Sequence, residues 1–129
     1  MKNLANCKPT EFFVQTNRIR KSASKWLKDT RILEIRKIMP VLNDDMDEDE
    51  KKEALEEQAR KNAWQILDSI MDENAEGTME LLALMCFVEP KDIDEHTVKE
   101  YLKSFTELIN DQDVMDFFTS LMQLVAKIS

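Results

Sequence analysis

The sequence predicts an all-α protein, folded as a single irregular bundle of five or six helices. Only one of its 129 residues is glycine and three are proline, so few positions favour turns or interrupt a helix. Apolar residues recur at steps of three and four along most of the chain, which is the spacing that lines one face of a helix. No segment alternates apolar and polar residues for long enough to predict a strand. At this length we expect one domain, covering residues 1–129.

Charge divides the chain into a basic N-terminal third and an acidic remainder. Residues 1–38 carry ten Lys and Arg against three Asp and Glu, a net of +7, whereas residues 39–129 carry eight against 23, a net of −15. Within the single domain we therefore distinguish an extension over 1–9, a basic helical arm over 10–39 and an acidic helical body over 49–129. The arm has three candidate partners: the acidic helices of its own chain, an acidic or helical protein, and nucleic acid.

The first helix is expected to begin after Thr10, a good N-cap residue that is followed by Glu11 in the first turn. Its apolar stripe consists of Phe12, Thr16, Ile19, Ala23 and Trp26. A break is expected near Asp29, which can cap a second, short helix that ends before Pro40.

An acidic stretch over residues 43–50 precedes a long helix, predicted over residues 49–73. We interpret the stretch as a solvated loop that enters a helix N-terminus, where acidic side chains suit the helix dipole. A calcium-binding EF-hand loop is excluded, because the loop lacks the required glycine. The predicted core stripe of the long helix is Leu55, Ala59, Ala63, Ile66, Leu67 and Ile70. Trp64 and Met71, seven positions apart, lie on an adjoining stripe.

Three helices are predicted in the last part of the chain. Thr78 can cap an almost entirely apolar helix that ends before Pro90, and such a helix is normally central. Thr97 and Glu100 form a capping box, so another helix begins there. Its apolar stripe is Val98, Tyr101, Leu102, Phe105, Leu108 and Ile109. The last helix carries Val114, Phe117, Phe118, Leu121, Val125 and Ile128 on one face.

No group of residues indicates catalysis, a cofactor or a metal. The single histidine, His96, lies among carboxylates, and the two cysteines, Cys7 and Cys86, are far apart, so neither a zinc site nor a nucleophile with its base is expected. With one glycine, no phosphate-binding loop can be built. Pairs such as Asp68 and Asp72 are expected by chance in an acidic chain. The sequence therefore predicts a binding protein and not an enzyme.

Cysteine usage and hydropathy indicate a cytoplasmic location away from membranes. Cys86 lies in the longest apolar run, residues 81–88, where a buried free thiol is expected. That run is far shorter than the roughly 20 residues that span a bilayer. Residues 1–15 lack the apolar core of a signal peptide, and free thiols suit a reducing compartment.

Aromatic, basic and methionine side chains are the candidate contacts for a partner. Met115 and Met122 flank the apolar stripe of the last helix, which is therefore either central or a face presented to another chain. The candidate partner-binding residues are Phe12, Phe13, Arg18, Lys21, Lys25, Trp26, Met115 and Met122.

Six short segments, spread over most of the chain, carry a resemblance to a known family. They are KPTEFF (8–13), RIRK (18–21), KWL (25–27), ELLAL (80–84), ND (110–111) and DFF (116–118). With these segments the chain resembles tail assembly chaperones of long-tailed bacteriophages and prophages of Gram-positive bacteria, a family with no catalytic signature.

The resemblance implies a function without chemistry. Such chaperones bind the tape measure protein, a long, largely helical and aggregation-prone polypeptide. They keep it soluble while the tail tube protein polymerises around it, and they leave before the virion is complete. The resemblance further implies a host bacterial cytoplasmic location, self-association, and a longer form made by ribosomal frameshifting. The alternative is a small helical regulatory protein that binds nucleic acid through its basic N-terminal arm, against which the overall acidity of the chain argues.

Overall fold

A computed structural model describes residues 1–128. Helices make up 77% of the structure and these residues contain no strand, so the all-α prediction is confirmed. The α-helices are α1 (Pro9–Thr30), α2 (Ile32–Ile35), α3 (Glu48–Asp68), α4 (Ala75–Met85), α5 (Val98–Ile109) and α6 (Gln112–Ile128). A π-helical turn, Ser69–Glu73, follows α3, and a 3-10 helix, Pro90–Glu95, precedes α5. No helix in this range is long and apolar enough to cross a membrane.

Contacts within the chain group it into two compact units. Unit 1 consists of Met1–Ser22 and the chain from Met79 onward, and unit 2 is Ala23–Thr78. Each unit has its own buried side chains, described in turn below. That the two units belong to one domain stays a prediction.

The N-terminal extension is ordered and packs in unit 1. Asn3 is buried, and its Nδ2 donates to the backbone oxygen of Ser104 at 3.3 Å and to the Ser104 hydroxyl at 3.1 Å. Helix α1 then begins at Pro9, a residue whose fixed φ suits the first helical position. The carboxylate of Glu11 accepts from the backbone N–H of Lys8 at 3.1 Å. The predicted N-cap at Thr10 is therefore wrong, because Glu11 caps the helix from inside its first turn.

The core of unit 1 forms around Tyr101 in α5. Its side chain is 1% exposed and lies in a cluster with Ala83, Cys86 and Val88. The Tyr101 hydroxyl donates to the backbone oxygen of Ile93 at 2.7 Å, which satisfies its polar atom within the core. Burial raises the pKa of the Cys86 thiol. The predicted burial of Cys86 is thus confirmed.

Helix α4 begins before the position at which the sequence predicts a cap. Thr78 lies inside the helix, and its hydroxyl accepts from the indole N–H of Trp26 at 2.8 Å. The same hydroxyl donates to the backbone oxygens of Ile70 and Asn74, both at 2.9 Å. The predicted cap at Thr78 is wrong, because this hydroxyl serves tertiary contacts in unit 2. The helix ends at Met85; two positions further on, Phe87 has a left-handed φ of 59°, and the N–H of Val88 donates to the oxygen of Ala83 at 2.9 Å.

Helices α5 and α6 follow the predicted pattern in part. The Thr97 hydroxyl accepts from the N–H of Glu100 at 3.2 Å, so the predicted cap of α5 is confirmed. Tyr101 and Leu108 are buried as expected. Three members of the predicted stripe are exposed, namely Val98, Leu102 and Ile109. The predicted apolar stripe of α5 is therefore wider than the part of this helix that packs inside unit 1.

In unit 2, the buried side chains of α3 and of the π-helical turn that follows it are polar and do not belong to the predicted apolar stripe. Asn62 is buried and its Nδ2 donates to the oxygen of Ile38 at 2.9 Å. The hydroxyl of Ser69, also buried, donates to the oxygen of Thr30 at 2.7 Å. Four members of the predicted core stripe are exposed instead, namely Leu55, Ala59, Ala63 and Leu67. The prediction is wrong for these four residues, because the buried contacts are made by Asn62 and Ser69; Ile66 and Ile70 of the stripe are half-buried.

The break between α1 and α2 is confirmed, although its cap differs from the prediction. Asp29 still belongs to α1 and forms an ion pair with Lys25 at 3.7 Å, so it does not cap α2. The chain turns instead at Arg31, which has a left-handed φ of 57° and no side-chain cap. Asp47 caps α3 by accepting from the N–H of Glu50 at 2.7 Å, which confirms that the acidic stretch leads into a helix.

Replacing Arg31 with glycine tests the strain at this turn. A left-handed φ costs a residue with a side chain roughly 1–2 kcal/mol, and the greater freedom of unfolded glycine offsets roughly 0.5–1 kcal/mol of any gain. We expect Arg31→Gly to be more stable than Arg31→Ala by about 1 kcal/mol in urea unfolding. Both variants lose the exposed ion pair with Glu34, so it cancels in the comparison. Equal stabilities would contradict a strained turn.

Candidate partner-binding surface

The last helix is the least covered element of unit 1. No residue of α6 is buried, and every residue over 119–128 is exposed. The exposed fraction reaches 71% at Met122 and 77% at Ile128. Of the two interpretations that the sequence left open, a central position for α6 is therefore wrong for the described residues. Met122 and Ile128 therefore present apolar surface on the outside of unit 1.

Aromatic side chains in the first half of α6 pack against aromatic side chains at the start of α1. The ring of Phe12 lies 5.7 Å from that of Phe117 and 6.0 Å from that of Phe118, measured between centroids. The ring of Phe13 lies 6.4 Å from that of Phe117. Contacts of this kind are favourable beyond the area that they bury. They bring together side chains more than 100 positions apart in the sequence.

Exposed apolar side chains flank this cluster on both helices. Phe13 is 67% exposed, and its neighbour Val14 is exposed as well. On α6 the exposed apolar side chains include Phe117, whose ring contacts that of Phe13, and Leu121 one turn further on. We name Phe13, Val14, Phe117 and Leu121 the aromatic surface. Its side chains are all apolar, so what it offers a ligand is apolar contact and shape.

The structure brings some of the predicted contact residues together and separates others. Phe12 is half-buried beneath the aromatic surface and Phe13 is part of it. Met115 is half-buried on α6, whereas Met122 is exposed one position beyond Leu121. Trp26 belongs to unit 2, where it is half-buried and donates its N–H to Thr78. We therefore assign Trp26 to packing.

The predicted basic contacts differ in their surroundings. Arg18 forms a bidentate ion pair with Glu89, both N–O distances being 3.0 Å. Lys25 pairs with Asp29 in its own helix. Lys21 is exposed, and the described residues give it no ion pair. Pairing of the basic arm with the acidic part of its own chain is thus limited, among residues 1–128, to Arg18.

The Arg18–Glu89 pair makes a prediction about pH. Hydrogen bonds from Arg18 lower the pKa of the Glu89 carboxyl. Because this pKa is lower in the folded than in the unfolded state, the pair stabilises the fold at neutral pH, and the effect is lost as the pH falls through the lowered pKa. We expect Arg18→Met to return the pKa of Glu89 to its ordinary range in an NMR carboxyl titration, whereas Arg31→Met leaves it unchanged. An unchanged pKa in Arg18→Met would show that the pair does not persist in solution.

Sequence reasoning missed a second exposed apolar surface, in unit 2. Trp64 is 68% exposed, and Leu67 and Met71 are exposed beside it. We name these three side chains the α3 stripe, although Met71 lies in the π-helical turn directly after α3. The sequence placed Leu67 in a core and the other two on an adjoining face. The available signal was the spacing of three and then four positions, which is typical of a helix face that contacts another helix.

The potential metal ligands and the single histidine lie outside the aromatic surface. Residues 1–128 hold no group of three His, Cys, Asp or Glu side chains that could bind a metal ion. His96 Nδ1 lies 3.0 Å from the carboxylate of Glu100, and this hydrogen bond lowers the pKa of Glu100. Both residues lie near the N-terminus of α5 and away from the members of the aromatic surface in sequence.

Comparison with known proteins adds no relative. No family model matches the sequence, and neither curated proteins nor solved structures include one that is significantly similar to it.

Proposed function

We propose that this chain is a non-enzymatic assembly chaperone that binds a long helical polypeptide through the aromatic surface. The observation that carries the proposal is the exposure of apolar side chains on α6, with Met122 71% and Ile128 77% exposed and no residue of the helix buried. An exposed apolar helix is costly in water and prone to aggregation unless it has a partner. An amphipathic client helix can cover such a surface with anchors at i, i+3, i+4 and i+7.

The resemblance described above supports a specific client. In this proposal the client is the tape measure protein of a phage or prophage tail, and the chaperone keeps it soluble while the tail tube protein assembles around it. Complex formation takes place in the host bacterial cytoplasm, and the chaperone is absent from the mature virion. The excess of negative charge, −8 over the chain, keeps the complex dispersed.

Co-expression tests the client assignment directly. A tape measure protein, produced with and without this chain, should be recovered in the soluble fraction only when the chain is present. Phe13→Asp with Leu121→Asp should abolish the effect, because both side chains are exposed and charge on them opposes apolar contact. Val98→Asp, at an exposed apolar position outside the aromatic surface, serves as the matched control. Soluble client without the chain, or equal rescue by all three proteins, would refute the assignment.

A second candidate function rests on the unpaired cations of α1. Lys21 and Lys28 are exposed and form no ion pair in the described part of the chain. Their ammonium groups are therefore available to bind the phosphate groups of nucleic acid. If nucleic acid is the ligand, a gel shift with random DNA must weaken steeply as salt rises and must be lost in Lys21→Glu with Lys28→Glu. Binding of the client through apolar contacts should persist in the same salt.

A further inference from the structure

A cleft of about 290 Å³ lies within unit 2, between α3 and the segment that follows α2. Leu55 and Ile66 are the first and last residues of α3 that line it, and they lie roughly 16 Å apart along the helix axis. Ala59 and Ala63 line the cleft between them, and these small side chains leave room between the larger ones. The volume spread over this length gives a mean cross-section of roughly 18 Å², far below that of an α-helix about 10–12 Å across. The cleft is therefore long and narrow.

The wall of the cleft is mostly apolar, and its amide side chains are hydrogen-bonded. Asn62 donates to the backbone oxygen of Ile38 at 2.9 Å, and Gln58 donates to the side-chain oxygen of Asn62 at 2.9 Å. Met39 and Pro40 add apolar side chains from the segment after α2. Small-molecule sites have this composition, with volumes from roughly 300 Å³ upward.

Of the described residues that line the cleft, only Arg36 is charged. It is exposed and forms no ion pair within residues 1–128. The backbone oxygen of Thr30 accepts from Ser69, and that of Ile38, later in the chain, accepts from Asn62. The segment thus runs antiparallel to α3. Because Arg36 precedes Ile38, its cationic group lies toward the C-terminal end of the cleft.

The charges that surround the cleft favour an anionic ligand. The charged residues next in sequence to a lining residue are Lys37, Glu56, Glu57, Arg60 and Lys61. Glu57 and Lys61 form an ion pair with each other at 3.7 Å. Together with Arg36, this leaves three cations against one acid. An anionic group is therefore attracted to this part of unit 2.

We propose that this cleft binds a medium-chain carboxylate, with the alkyl chain lying along α3 and the carboxylate paired with Arg36. An unbranched chain fits a long, narrow space that is too thin for a client helix. Burial of its methylene groups favours binding, and the planar guanidinium matches a carboxylate in bidentate geometry. The cleft belongs to unit 2 and the aromatic surface to unit 1, so this inference does not depend on the proposed function.

Titration with sodium decanoate below its micelle concentration, followed by two-dimensional NMR, tests the proposal. We expect saturable shifts of the side-chain amide signals of Gln58 and Asn62 and of the Ala63 methyl group. Arg36→Met should weaken binding by about tenfold or more, because the carboxylate loses hydrogen bonds to a charged group. Arg20→Met is the matched control and should bind like the wild type, since it removes an exposed cation of unit 1 that has no ion pair in the described residues.

A neutral ligand and a filled cleft separate this site from general uptake of alkyl chains. Decanol should bind about tenfold more weakly than decanoate to the wild type, and Arg36→Met should lose this preference. Ala59→Phe should abolish binding of both, because its ring fills the middle of the cleft. Ala59 is exposed, so the larger side chain leaves the buried residues of unit 2 in place.

Four results would overturn the proposal. They are equal affinities of the wild type for decanoate and decanol, unchanged binding in Ala59→Phe, shifts confined to the aromatic surface, and no saturable shift at all. Shifts of Asn62 that occur with a tape measure protein and not with decanoate would assign the cleft to the client instead.

Discussion

Replacing Tyr101 with alanine is expected to lower the free energy of unfolding by about 3–5 kcal/mol. The side chain is almost fully buried against Ala83, Cys86 and Val88, and its removal leaves a cavity that the surrounding helices can close only in part. The substitution also leaves the oxygen of Ile93 without its hydrogen bond. An effect of this size is a large share of the stability of a small protein.

Two further variants separate the loss of the Tyr101 hydrogen bond from the loss of its buried ring. Tyr101→Phe keeps the ring and loses only the hydrogen bond, so it should cost about 1–3 kcal/mol. Leu102→Ala, at the next position but exposed, should change stability by less than about 0.5 kcal/mol. Native-state hydrogen exchange of the α5 amides measures all three values in the same helix. A Tyr101→Ala variant as stable as Leu102→Ala would show that α5 packs through another face.

The two tryptophans should differ widely when each is replaced with alanine. Trp26 is half-buried and donates to Thr78 at 2.8 Å, so Trp26→Ala should cost roughly 2–3 kcal/mol, somewhat less than for a fully buried tryptophan. Trp64 is exposed, so Trp64→Ala should change stability by less than about 0.5 kcal/mol. Urea unfolding at low protein concentration, followed by circular dichroism, provides the comparison. Similar values for the two variants would contradict the packing of unit 2.

The same pair of variants distinguishes packing from binding. We assign Trp26, a candidate contact from the sequence, to the interior of unit 2, and Trp64 to the exposed α3 stripe. Trp26→Phe keeps most of the ring area and should retain client binding together with the fold. Loss of client binding in a stable Trp26→Phe variant would restore Trp26 as a contact residue.

Features that depend on neighbouring residues could be predicted from the sequence. The cap formed by Thr97 and Glu100 is local, and so its prediction was confirmed by the hydrogen bond between them. The break after α1 was also predicted, although from a cap at Asp29 that the structure does not form. The residue that turns the chain, Arg31, was not predicted, since a positive φ at an arginine follows from its surroundings and not from its own preference.

Features that depend on residues distant in the chain could not be predicted from the sequence. Asn62 in α3 and Ser69 directly after it are buried and donate to the backbone oxygens of Ile38 and Thr30, and no local pattern shows that those oxygens lie there. The aromatic cluster is similar, because Phe12 and Phe118 are each part of a correct helical stripe but their contact spans two ends of the chain. The sequence thus predicted the candidate side chains better than the surface that they form.

The central claim is that the aromatic surface of unit 1 binds the client. Hydrogen–deuterium exchange of the chain, measured by mass spectrometry alone and in complex with a tape measure protein, tests it most directly. We expect protection on binding to concentrate in the first turns of α1, around Phe13, and over residues 117–124 of α6. A complex that forms while these segments exchange as fast as in the free chain, with protection confined to residues 60–71 of unit 2, would contradict the claim.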